Sequence, residues 1–286
     1  EAEALQDFDR MIARWPKEES AAAAWQRAAQ IYAGRQDLAN MAKYYEGLIK
    51  NFPKTSPAAL AEAHFLLGRA AFDQGDFQSS ISHMSEAKTL DPQKYGEQVN
   101  VLTVLSYHKL QDVNKLKETL ETLQKENPAA VSRVPDVIPA WLGLQAYGMK
   151  DLETADKYMT WATQNDQLQN VKKVIWRNLA KVRLALKKYD RALVASNNFL
   201  KVEDQPYRRA DGMLDKASIL LGLGKYAEAR KTAEEALALG VEGPLMASLK
   251  IVLGDISYAE KKFDEAAKHY GVTAELFVND AELKPK

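Results

Sequence analysis

Side chains able to do chemistry are few and scattered in this chain of 286 residues. There is no cysteine, so neither a disulfide framework nor a thiolate metal site is available. The four histidines, His64, His83, His108 and His269, belong to no H-E-x-x-H pair and to no Ser/Asp arrangement. Those are the spacings that would hold zinc or activate a nucleophile. Gly222-Leu223-Gly224-Lys225 has part of the look of a phosphate loop, but no strand precedes it and the Gly-Lys-Ser/Thr spacing is missing. It reads as a turn between helices. These residues predict no enzyme, no cofactor and no metal.

The elements that position them are legible because the sequence starts over. Tyr189-Asp190-Arg191-Ala192 returns as Tyr226-Ala227-Glu228-Ala229 and as Phe263-Asp264-Glu265-Ala266, each time 37 residues on. A fixed period of this size is the mark of a helical solenoid. Leu38, Phe77, Val113 and Leu152 extend the series toward the N-terminus at spacings of 36 to 39 residues. Each follows a turn and opens a helix. Small residues such as Ala29, Gly68, Gly143, Ala180, Ala217 and Gly254 recur in the preceding helix, where they let two antiparallel helices approach closely.

Composition narrows the function classes. Lys plus Arg and Asp plus Glu are both 39, so no basic field argues for nucleic acid. No apolar run approaches the roughly 20 residues of a membrane helix, so direct insertion is not expected. The chain begins at Glu1, and residues 1–15 form a lone amphipathic helix closed by Pro16. That helix fits the second half of a repeat. We expect further helices before it and a chain that is the C-terminal part of a larger bacterial protein.

Trp25, Ala28, Ala29 and Tyr32, followed by Met41, Tyr45, Leu48 and Pro53, resemble the tetratricopeptide repeat. The register recurs along nearly the whole chain. The resemblance implies an all-α, right-handed superhelical solenoid of helix-turn-helix units, about seven plus an N-terminal half-repeat. The expected layout is a single array with the half-repeat at 1–16 and pairs at 20–53, 57–92, 96–128, 136–167, 172–204, 209–241 and 245–280, then a tail at 281–286. With Asp136 as N-cap, Pro139 falls in a first turn, where its missing N–H costs little.

In this family the first helices line a concave groove that holds a peptide or partner helix. Carried over by register, the residues expected to bind are Phe65, Arg69, Phe72, Leu105, His108, Leu144, Tyr147, Arg177 and Lys181. Apolar anchors with a few cations suit an amphipathic helix or an extended segment. The competing reading is that neighbouring first helices bury some of them. Some relatives grip a C-terminal carboxylate with cations on successive first helices. Here Arg177, Asn178 and Lys181 come nearest, but Asp211 and Asp215 on the next first helix would neutralise them. Trp161, beside Tyr158, is expected to pack at a repeat edge, with an exposed contact on the convex side as the alternative.

The implied function is a non-enzymatic interaction scaffold for a protein or peptide partner. The alternative is a structural spacer or self-assembly module that forms a homo-oligomer through its open ends. Phe52-Pro53-Lys54-Thr55-Ser56-Pro57-Ala58-Ala59 followed by Ala61, Ala63 and Leu67-Gly68 resembles the linkage in bacterial cell-envelope tetratricopeptide proteins. It points to the periplasm or cell envelope, with the cytoplasm as the alternative.

Overall fold

The computed structural model describes residues 1–164 and 169–279. The unit ends expected at 167 and 280 and the tail at 281–286 lie outside them. Among the described residues there are fifteen α-helices, one short 3-10 helix and no strand. The expectation of an all-α helical repeat holds.

The helices group into two compact units, Glu1–Pro135 and Asp136–Lys286. The first contains α1 (Ala2–Arg14), α2 (Glu19–Gly34), α3 (Leu38–Asn51), α4 (Pro57–Asp73), α5 (Phe77–Leu90), α6 (Pro92–Lys109), α7 (Val113–Glu126) and the 3-10 helix Pro128–Arg133. The second contains α8 (Val137–Gly148), α9 (Leu152–Thr163), α10 (Gln169–Ala185), α11 (Tyr189–Val202), α12 (Pro206–Gly222), α13 (Tyr226–Leu237), α14 (Gly243–Ala259) and α15 (Phe263–Asn279). Helices α2 to α15 pack as consecutive antiparallel pairs, and α1 packs on α2 through Leu5, Phe8 and Ile12.

One local device makes every hairpin. After each first helix the chain passes through a single left-handed residue: Gln36, Gly75, Gln111, Lys150, Lys187, Gly224 or Lys261. The next amide (Asp37, Asp76, Asp112, Asp151, Lys188, Lys225 or Lys262) then donates to the carbonyl five residues back, at 2.8–3.1 Å. This satisfies a carbonyl that the helix end would leave unpaired, and it turns the chain within three residues. Where that next residue is aspartate its side chain also caps the following helix. Asp37, Asp76, Asp112 and Asp151 accept the amides of Asn40, Ser79, Lys115 and Thr154. Asp136 differs from expectation: it precedes α8, but its side chain makes no capping hydrogen bond. Pro139 does lie in the first turn of α8.

Glycine marks the closest approaches. A Cβ on Gly143 would stand 2.7 Å from Met159 Cγ and 2.9 Å from the Met159 backbone nitrogen, inside any relaxed contact between α8 and α9. Backbone cannot yield as a side-chain tip can. We therefore expect Gly143→Ala to destabilise the chain by about 1–3 kcal/mol as α8 is forced outward. Thermal unfolding checks this, and an unchanged midpoint would contradict the packing.

Candidate functional site

Within each unit some first helices also touch the next first helix, and these form an inner layer. In the second unit α10 packs against both α8 and α12, and α12 packs against α14, whereas among the described residues α9, α11, α13 and α15 make no comparable contact with one another. In the first unit α4 packs against α6 in the same way. Residues on the first helices that point away from their own second helices therefore meet across this layer.

In the first unit the expected site residues divide. Phe65 is only 8% exposed and stacks on Tyr95 of the next first helix, ring centroids 4.7 Å apart. It belongs to the core, which corrects the expectation of a solvent-facing anchor. Phe72 is half-buried and meets Phe77 edge-on at 5.4 Å, while Arg69 is exposed. Leu105 and His108 are half-buried on α6. Burial, with the Lys109 charge adding to it, holds the His108 imidazole below its ordinary pKa.

In the second unit Leu144 and Tyr147 on α8 and Leu184 on α10 are half-buried, with one side packed on the core. Both cations are matched by the neighbouring helix: Arg177 pairs with Asp211, and Lys181 Nζ lies 3.8 Å from Asp215 Oδ2. Asp215 is largely buried, and that Oδ2 accepts no hydrogen bond. Burial raises its carboxyl to about 6, against the opposing pull of Lys181 and Arg177. This layer is thus apolar and charge-balanced. At its far end Tyr258 and Phe263, 62% and 57% exposed, meet edge-on. Trp161 stacks on Tyr158 at 6.0 Å, as expected for packing.

Several polar clusters escaped sequence reasoning. Glu62 on α4 accepts from Gln26 (2.9 Å) and Gln30 (2.8 Å) of α2 and from the Tyr45 hydroxyl of α3 (3.2 Å). Asp156 and Arg183 form a buried pair at 2.7 Å. Arg230 clamps Glu260 and Glu265, each at 2.6 Å. His64 and His83 approach Nδ1 to Nδ1 at 3.0 Å. The available signal was a charged or polar residue falling in an apolar register, as Arg183 does beside Leu179 and Val182. Among the described residues no three His, Asp or Glu side chains converge as metal ligands, and no helix is long and apolar enough to cross a membrane.

Three family models described as Tetratricopeptide repeat match residues 23–55, 61–94 and 214–274. No curated protein sequence matches the chain significantly. Among solved structures, that of Naa15/Naa10 bound to HypK-THB superposes with a TM-score of 0.53 at 14% identity, over 92% of this chain and 38% of that one. A tetratricopeptide repeat protein from Parabacteroides merdae gives 0.40 at 15% identity, covering 97% of this chain and 96% of that one. Pseudomonas aeruginosa pilF gives 0.40 at 17% identity, covering 79% and 96%. Identities this low speak to fold alone, and only the first superposition is close enough to support even that.

Proposed function

This chain belongs to the tetratricopeptide repeat family, and from that premise we propose that it is a non-enzymatic scaffold whose first-helix faces hold a peptide or partner helix. The observation that carries the reading is the inner layer of the second unit. Leu144, Tyr147 and Leu184 keep apolar surface in reach of solvent, while the cations beside them are already paired. Such a face favours apolar anchors of an amphipathic segment over a free carboxylate, whose capture would require breaking the pairs with Asp211 and Asp215. A cell-envelope setting in a bacterium is supported by the Phe52–Gly68 linkage alone, and cell fractionation of the natural protein tests it. Self-association through α1 is the second reading, favoured by Trp15, which is 45% exposed at the helix end.

A photo-crosslinking residue at position 147 should trap a distinct protein, whereas one at Val194, 56% exposed on the second helix α11, should not. Tyr147→Glu should then weaken the trapped complex at least about tenfold while circular dichroism stays unchanged. Equal trapping at both positions would remove the inner-face assignment. Capture only of a second copy of this chain would favour self-association.

A further inference from the structure

His64 and His83 sit on facing sides of the α4–α5 hairpin, beside the seat where Gly68 lets α4 meet Ser80, His83 and Met84. Their rings are half-buried, with centroids 5.2 Å apart and planes inclined by 45°. The two Nδ1 atoms lie 3.0 Å apart, a hydrogen-bond distance. At that separation neither two N–H donors nor two bare lone pairs can face one another without repulsion. One Nδ1 must therefore carry a proton and the other must be bare.

We propose that this pair is an acid-sensitive latch, in which the two imidazoles share one Nδ1 proton and part when both rings become protonated. A first proton, taken up at Nε2 of the donor ring, leaves the contact intact and strengthens the donor. A second can enter only at the bare Nδ1 or force the ring to turn, and either breaks the contact between two cations. The carboxylates whose charge acts on the pair are Glu46 on α3, Asp76 in the turn before α5 and Glu86 on α5. They favour protonation but do not prevail. Burial holds both rings below the ordinary value of 6.5, and for His64 the charge on His83 adds to it. The unfolded chain therefore takes up protons first. Stability present above about 6.5 is lost as pH falls through the folded-state values. Because α4 also presents Arg69 and Phe72, opening the hairpin would disturb the inner face of the first unit as well.

Urea unfolding of the full chain and of His83→Gln at pH 7.5 and 5.0 tests the latch. Glutamine can still accept from His64 but does not titrate. The folding equilibrium constant of the unaltered chain should fall about tenfold more than that of the variant across this range. Parallel losses would overturn the proposal. Nitrogen-15 shifts of the imidazoles in the unaltered chain give a second reading that needs no variant. At pH 7.5 one of these two Nδ1 atoms should be protonated and the other bare. Protonated Nδ1 on both rings at that pH would also overturn it.

Discussion

Asp156→Ala should cost about 3–5 kcal/mol, because it breaks a buried ion pair from one side. Asp156 on α9 and Arg183 on α10 are each 7% exposed. Arg183 Nε donates to Asp156 Oδ1 at 2.7 Å, its other nitrogens reach Thr160 Oγ1 at 2.7 Å and the Arg191 carbonyl at 3.2 Å, and Lys188 Nζ lies 3.0 Å from Asp156 Oδ2. The carboxylate thus ties α9 to α10 and to the turn before α11, and Arg183 carries the link on to the Arg191 carbonyl of α11. Removing it leaves a guanidinium buried without its counter-charge, which costs far more than the pair contributes over an apolar substitute. Asp156→Leu combined with Arg183→Leu should accordingly recover most of the loss, although neither change is tolerated alone. Lys188→Ala should cost no more than about 1 kcal/mol, because Lys188 is 31% exposed and partly screened. Urea unfolding of Asp156→Ala, the double leucine variant and Lys188→Ala reads the three expectations, and a cost below about 1 kcal/mol for Asp156→Ala would refute the first. The pH dependence follows the same geometry. Burial alone would raise the Asp156 carboxyl, but the bonds from Arg183 and Lys188 outweigh it and hold the group below 3.8. Its contribution is present above that value and is lost as pH falls through the lower folded-state value.

The fold was readable in the sequence because each unit repeats a few chemically distinctive positions. The aromatic or aliphatic residue that opens each second helix, from Leu38 to Phe263, marks the hairpin turns wherever they occur. The left-handed residue two positions earlier was not readable as such. Gly75 and Gly224 announce it, but Gln36, Gln111, Lys150, Lys187 and Lys261 adopt it against their own preference because the five-back hydrogen bond over-determines the turn. The candidate site was readable only where it depended on spacing within single helices. Arg177 and Lys181 are four apart on α10, and Asp211 and Asp215 are four apart on α12, so matching rows of charge could be expected and are found. Phe65 occupies its expected register, yet Tyr95 of the following pair closes over it, a contact between hairpins that spacing within one helix does not show. His64 and His83 looked unrelated for a similar reason. Their separation is no helical interval but the distance across a hairpin, and only the folded turn at Gly75 makes them neighbours.

Asp215→Asn should separate two charges that the sequence makes look alike. Asp211 pairs directly with Arg177, whereas Asp215 is more deeply buried, 3.8 Å from Lys181, and one of its oxygens has no hydrogen bond. Burial therefore outweighs the nearby cations and lifts its carboxyl to about 6, from 3.8 in the unfolded chain. A raised carboxyl means that the folded chain holds its proton more tightly than the unfolded one. The stabilisation is complete below 3.8 and is lost as pH rises through 6. Over that window the effect amounts to roughly 3 kcal/mol, opposite in direction to those of Asp156 and the histidine pair. Asparagine imitates the protonated acid and removes the titration. The stability of the unaltered chain minus that of Asp215→Asn should thus drop by about 2–3 kcal/mol between pH 4 and pH 8. Taking the difference cancels every other titrating group that the substitution leaves in place, including His64 and His83. Urea unfolding at half-unit pH steps would follow it, and a flat difference would mean that Lys181 and Arg177 hold Asp215 ionised throughout. In that case the inner face of the second unit would carry two full ion pairs, and acid would not change its charge near pH 6.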